Sequence, residues 1–346
     1  MNERILELES SQLFAKQAYK TQVLITCSPH IDIFRNRQTH AYEVRTVSEI
    51  IAKNIRFDKI PELSYVAMTH DCGHPPFGHA GATAIDKAFK DAGLMEGFSD
   101  NNNNIDMLTL NGLSVSDYEL VSLIKYPGKL YPYQKKQYLK LLTEVLSEER
   151  KDWGDRLNRT VACNIMDIAD EISYTTSDLY DSYSTGYTKD LMPEFFAGLA
   201  QKYKSDPSLY SVLTSISNSS KEEYKRALRS DIFRLKMLLI KNVYWDYDHA
   251  NLRFRDKPHR DLMQEIFSFT FKNFIHSAKV GAERDLAVQK LNSVIDFFLN
   301  CTPDKFPSDM YREKYLSENT KEGRLRAIRN MVSDMTDLYV LNFKES

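Results

Sequence analysis

Apolar residues recur at three- and four-residue steps along most of the chain, the mark of amphipathic helices rather than strands. From Gln38 to Ile55 the set Tyr42, Val44, Val47, Ile50, Ile51 and Ile55 falls largely on one side. The same spacing predicts helices over 4–23, over an apolar run from Leu63 to Thr69, and near 80–92, 116–125, 133–148, 158–183, 190–203, 221–245, 259–275, 283–300 and 321–343. No Val/Ile/Thr-rich alternating run predicts a substantial sheet, and no long period predicts a repeat. The breaks are Cys27-Ser-Pro-His-Ile-Asp, a polar turn cluster at Gly97-Phe-Ser-Asp-Asn-Asn-Asn-Asn, Lys125-Tyr-Pro-Gly-Lys129, and an aromatic, charged piece between Tyr244 and Arg260. Ser215 to Ser220 reads as a linker inside the bundle. The pattern predicts an all-α chain, with residues 1–346 as a single domain.

Composition narrows the class. At 346 residues, 42% hydrophobic and 27% charged, the chain is an ordinary globular protein with material for a large core. A net charge of −2 excludes a surface that is basic all over, so any polyanion must meet a local positive cluster. Cys27, Cys72, Cys163 and Cys301 are too scattered for a disulfide framework and read as reduced thiols in the cytoplasm. The charged first residues and the lack of a long apolar run predict neither a secretory signal nor a membrane span.

Candidate chemistry concentrates in His70-Asp-Cys-Gly-His-Pro-Pro-Phe-Gly-His79, where three histidines and an aspartate share ten residues. Gly73 and Pro75 end the preceding helix, which lets the adjacent His70 and Asp71 turn toward one point. An imidazole nitrogen and a carboxylate oxygen form half of a mixed N/O metal site. His40 opens the helix that follows Arg35 and Arg37, and Arg37 lies three residues before it, on the same face. The helix over 158–183 carries Asp167, Asp170, Tyr174, Asp178 and Asp181 within an arc of roughly 80°. Such a row is either a solvated face or one wall of a cation-holding cleft, and without lysines at i+4 it needs counter-charge from elsewhere.

The order His40, His70-Asp71, then a helical Asp resembles the HD superfamily of metal-dependent phosphohydrolases. Arg35-x-Arg-x-Thr-His40-x-x-Glu-Val, the ten-residue loop, Lys125-Tyr-Pro, Ala169-Asp-Glu-Ile-Ser-Tyr174 and Met335-Thr-Asp-Leu-Tyr are together similar to the deoxyguanosinetriphosphate triphosphohydrolase (dGTPase) family, related to the SAMHD dNTPases. The resemblance implies a helical HD-domain core over about 16–185, with the helices of about 190–346 completing a nucleotide site. It implies hydrolysis of a deoxynucleoside triphosphate, dGTP favoured, at the α-phosphorus to deoxynucleoside and tripolyphosphate. His40, His70, Asp71 and Asp170 would ligate a divalent metal (Mn, Mg, Fe, Co or Zn). Arg37 and His74 would hold the α-phosphate, and His79 would move a proton. Tyr174 would pack on the deoxyribose, and Asp178 with Gln22 would bind its 3′-hydroxyl. Lys236 and Tyr244, eight residues apart on one helix face, would meet the phosphates. A homo-oligomer and a single-stranded DNA regulator also come with the resemblance.

Two departures stand against it. The acid the family usually carries three residues after this histidine is Ala82 here, and the usual Phe-Glu-His/Gly-Asn is Phe98-Ser-Asp-Asn101. Losing the carboxylate that orients a catalytic histidine costs about 10⁴-fold in a serine-protease triad. Either another acid serves, with Asp100 a candidate, or the chain is slow, inactive or altered at residue 82 to trap substrate, which includes a silent nucleotide sensor or structural subunit. A different HD nucleotidase or phosphodiesterase is the third alternative.

Overall fold

The computed structural model describes residues 3–23, 35–221 and 225–344. It is 73% helical, with one two-stranded sheet among the described residues, so the all-α expectation holds. The break at Cys27-Ser-Pro-His-Ile-Asp lies outside the described residues.

The helix Arg37–Ile55 starts because the Asn36 side chain caps it, accepting from Thr39 N at 2.9 Å, and ends at Arg56 in the left-handed region. Its buried face (Ala41, Val44, Val47, Ile51) packs between Ile60–Thr69 and Val161–Ser184. Those two helices are buried along most of their length and form the centre of a core that runs from Ile5 to Ile266. A second core wraps Gly78–Asp91, placing Ile85 and Phe89 against Leu291, Ile295 and Phe298 of Ala278–Asn300 and Ile328 and Met331 of Lys321–Asp334. The His-rich loop passes between the two cores.

That loop needs its glycines. A Cβ on Gly73 would lie 2.3 Å from Asn104 N, and one on Gly81 would lie 1.8 Å from Pro76 O. Distant residues hold the loop backbone. Lys20, fully buried, donates from Nζ to His74 O at 2.6 Å and Ser333 O at 2.9 Å, and burial pushes its pKa down to about 8. Asp337 accepts from Thr21 N, Thr21 Oγ1 and Phe77 N at 3.0, 2.7 and 3.0 Å.

Four sequence expectations are corrected. The asparagine run is no turn but the opening of a helix, Asp100–Leu110, capped by Ser99. Its amides are spent on the loop: Asn103 Nδ2 donates to Gly73 O at 2.8 Å, and Asn104 bonds both His70 O and Gly73 N. Buried amides with partners in place no longer compete with their own backbone, which is why the asparagines tolerate the helix. Ser215 to Ser219 belong to the helix Pro207–Ser219, whose Val212, Leu213 and Ile216 are buried. The segment 321–343 divides into Lys321–Asp334 and Asp337–Asn342. Lys236 and Tyr244 share no helix face: Lys225–Lys241 ends first, and Tyr244 stands opposite Arg253 in the antiparallel pair Val243–Asp246 and Asn251–Phe254.

Asp337→Ala strands three inward donors, each worth about 1–3 kcal/mol when left unpaired. We expect a loss of about 3 kcal/mol in urea unfolding; an unchanged midpoint would mean the C-terminal helices do not support the loop.

Candidate metal centre

Three separate segments bring four side chains together. His70 ends its helix, and its Nδ1 donates to Ala67 O at 2.7 Å. In the neutral ring this leaves Nε2 as a lone pair, the form that ligates metals. Among the described residues His70 Nε2 is buried without a hydrogen-bond partner, 3.4 Å from Asp71 Oδ1 and 3.6 Å from Asp170 Oδ1; burial lowers its pKa, but these two carboxylates outweigh that and raise it. His40 Nε2 lies 3.0 Å from Asp170 Oδ1 and 4.0 Å from Asp71 Oδ2. Ligands at about 2.1 Å from one cation sit about 3–4 Å apart. A buried imidazole nitrogen facing two carboxylates, with spacings in that range, fits a divalent cation.

Burial alone raises the pKa of Asp71, but His74, His70 and Arg37 hold it far below the carboxylate range, with Arg37 Nη1 2.6 Å from Oδ2. Burial likewise opposes charge on Asp170, and Lys125, 3.3 Å from Oδ2, outweighs it. Both carboxyls are therefore ionised. Burial lowers the pKa of His40 despite its bond to Asp170, which keeps the ring neutral and able to ligate.

Beside this set lies a second one. Asp100 Oδ2 is 3.1 Å from His74 Nε2 and 3.5 Å from His79 Nδ1, while His74 Nδ1 is 3.1 Å from Asp71 Oδ1. A carboxylate from another helix thus stands where Ala82 offers none. The His79 side chain is 89% exposed, open to whatever occupies the cleft.

The acidic helix meets its counter-charges from elsewhere. Asp167 pairs with Arg159 at 2.7 Å and Lys125 at 3.3 Å, and Glu171 pairs with Arg260 at 2.8 Å. Burial pushes Asp178 up to about 8 and Asp181 up to about 6, with Arg35 opposing both. The Tyr174 ring packs edge-on to Phe267 with centroids 5.7 Å apart. Lys236 bonds Glu43 and Ser177, and burial with Arg35 nearby pushes it down to about 7. It lines a cavity of about 530 Å³ with Arg35, Tyr180 and Phe233. Tyr244 lines a different cavity, with the Arg255 guanidinium 5.8 Å above its ring. Gln22 N donates to Arg35 O at 3.4 Å. Sequence reasoning gave Lys125 no role and missed Arg159, Arg260 and Glu43. Lys125 had a signal in its Lys-Tyr-Pro setting and Glu43 in the Arg35-to-Val44 motif, whereas Arg159 and Arg260 are ordinary surface-type charges in sequence.

A family model described as a phosphohydrolase-associated domain matches residues 253–346. A deoxyguanosinetriphosphate triphosphohydrolase-like protein of Leptospira interrogans is 28% identical, covering 97% of this chain and 86% of its own length. Its namesake in Paracoccus denitrificans is 25% identical over 96% of this chain and 88% of its own length. A second-numbered namesake in Mesorhizobium japonicum reaches 32% over 51% of this chain and 44% of its own. Among solved structures, a hypothetical protein from Aquifex aeolicus aligns at 13% identity and TM-score 0.42, covering 99% of this chain and 67% of that one. The order of the motifs, the helical fold and the full-length relatives agree, and the chain belongs to the HD-domain, deoxyguanosinetriphosphate triphosphohydrolase-like family.

Proposed function

We propose that the chain is a metal-dependent deoxynucleoside triphosphate triphosphohydrolase that favours dGTP. The observation that carries this reading is His70 Nε2, buried without a hydrogen-bond partner among the described residues and facing two ionised carboxylates. His40, His70, Asp71 and Asp170 would hold a divalent cation, which supplies Lewis acidity toward a phosphate. The reaction adds water to the α-phosphorus and breaks its bond to O5′, so one proton leaves the water and one reaches O5′. His79, exposed to the cleft and backed by Asp100, is placed to move such a proton. Arg37 and His74 present positive or donor groups beside Asp71 for the α-phosphate. Tyr174 and Asp178, one and two turns past Asp170, are the sugar contacts, with Gln22, and Lys236 meets the phosphates. Residues 1–346 work as one unit, because Ser333 and Asp337 brace the loop that carries the histidines. Ala82 is the feature that would favour a silent sensor; Asp100 meets the same need from another helix.

A product assay over the four dNTPs with Mn, Mg and Co tests the reaction. Deoxynucleoside and tripolyphosphate are expected, and orthophosphate or pyrophosphate as the first product would overturn it. His70→Ala and Asp170→Ala should lose at least about 10³-fold in turnover with helix content intact; unfolding instead would assign these residues a structural role. Asp100→Asn should lower kcat by about 100-fold or more, and Ala82→Glu in the same chain should recover much of it; no effect of either change would leave His79 without an orienting acid. Asp178 has a folded pKa near 8 against an unfolded value near 4, so its burial costs nothing below about pH 4 and progressively more up to about pH 8. Asp178→Asn should therefore be more stable than the parent at pH 7 by about 4 kcal/mol, with the gap closing toward pH 4; a pH-independent gap would refute the assignment.

A further inference from the structure

Asp100 stands in for the acid missing at Ala82, but it does so from a different element, and that changes what its position depends on. An acid at residue 82 would ride on Gly78–Asp91, the helix that carries His79, three residues on and on the same face. Asp100 instead opens the helix Asp100–Leu110. Its distance to His74 and His79 is therefore set by whatever holds that helix start, and orienting contacts tolerate errors of about 0.5 Å.

The carboxylate is divided between two tasks. Oδ1 accepts from Asn101 N at 2.8 Å and from Asn101 Nδ2 at 3.1 Å, which leaves Oδ2 for the two imidazoles. The backbone one residue earlier is gripped from outside. The Tyr131 hydroxyl accepts from Ser99 N at 2.7 Å and donates to Ser99 O at 3.3 Å, so one phenol spans both peptide groups of the residue that caps the helix. Tyr131 is buried, and the Arg329 guanidinium lies over its ring, 4.5 Å from the centroid. Arg329 is fully buried too, and its fork reaches the same segment: Nη1 donates to Gly97 O at 3.0 Å and Nη2 to Asp106 Oδ2 at 3.0 Å. A planar guanidinium can stack and donate at once, which a lysine cannot. Phe98 N donates to Asp86 Oδ1 at 2.8 Å, and Asp86 lies two turns past His79 on its own helix. Residues 97, 98 and 99 are thus tied in turn to Arg329, Asp86 and Tyr131, immediately before the acid. Well-packed apolar side chains would stabilise such a junction as well as a buried guanidinium does, so stability alone gives no reason for the polar grip.

We propose that Tyr131, braced by Arg329, is a positioning residue for the reaction, holding the start of Asp100–Leu110 so that Asp100 orients His79. The assignment rests on the triphosphohydrolase reading of the adjacent centre. Tyr131 acts through the helix start and not on the substrate, so its effect belongs in kcat rather than KM.

Steady-state kinetics of Tyr131→Phe, Asp100→Asn and the two combined, each with and without Ala82→Glu, test it. Tyr131→Phe should lower kcat about tenfold and leave KM within about twofold. It should add nothing beside Asp100→Asn, because residues that act through one another are not additive. Ala82→Glu should restore it, since that acid sits on the helix of His79. Ser99→Ala, which removes the cap at a half-buried position, should show a smaller drop with the same rescue, and it carries the test if Tyr131→Phe does not fold. Full turnover in Tyr131→Phe, a loss that persists beside Asp100→Asn, or a loss that Ala82→Glu does not repair overturns the proposal. The two readings fail separately. If the parent turns over no dNTP, the reaction falls, and crystal structures of the parent and of Tyr131→Phe still judge the grip: Asp100 Oδ2 should draw away from His74 and His79 in the variant, and an unmoved carboxylate overturns it.

Discussion

Two ionised carboxylates face the imidazole edges of His40 and His70 inside this protein, and most of the chain serves to keep them there. Arg37 and Lys125 neutralise the outer oxygens of Asp71 and Asp170, but neither reaches the inner space between the rings. Buried negative oxygen is unfavourable unless something positive faces it, either a proton on His70 or a bound cation. The arrangement persists because the backbone around it leaves no alternative: Ala67 O fixes one ring of the pair, and the helix carrying Asp170 is buried along one side from Val161 to Tyr183.

The loop that supplies the histidines contributes little regular structure, so its geometry is imposed from outside. Asn103 and Asn104 satisfy its carbonyls, Lys20 ties it to Ser333, and Asp337 ties Phe77 to Thr21. Each contact joins residues far apart in sequence, which makes correct placement of the site a consequence of closing both cores. Local stability at the loop is therefore close to global stability, unlike that of an ordinary surface loop.

The metal motif was legible in sequence because its physics is local: His70-Asp71 adjacent, glycine and proline to end the helix, and acids at three- and four-residue steps on the helix that contains Asp170. What was hidden depends on partners chosen by the fold. Asparagines favour turns when only their own backbone is available, and the partners that make Asn103 and Asn104 helical are some thirty residues away. Lys236 and Tyr244 share an apparent helical period, yet the chain leaves the helix at Lys241 for a hairpin, since Val243, Trp245, Leu252 and Phe254 alternate inward. Arg159, Arg260 and Lys125 answer the acidic row from three other elements, which no helical i+4 rule detects.

The buried ionisable groups that remain show what the cleft is adapted to. Asp178 and Asp181 are pushed up by burial and Lys236 is pushed down, so at neutral pH each is held near the edge of its charged form. Groups that serve only stability are rarely left in that condition, because an apolar replacement is cheaper. A polar ligand that donates to Asp178 and accepts from Lys236 would relieve both, so its binding would draw on strain already present in the free chain. The hydroxyls of a sugar have that dual character and bare phosphates do not, which is the physical ground for the sugar-binding role proposed for Asp178.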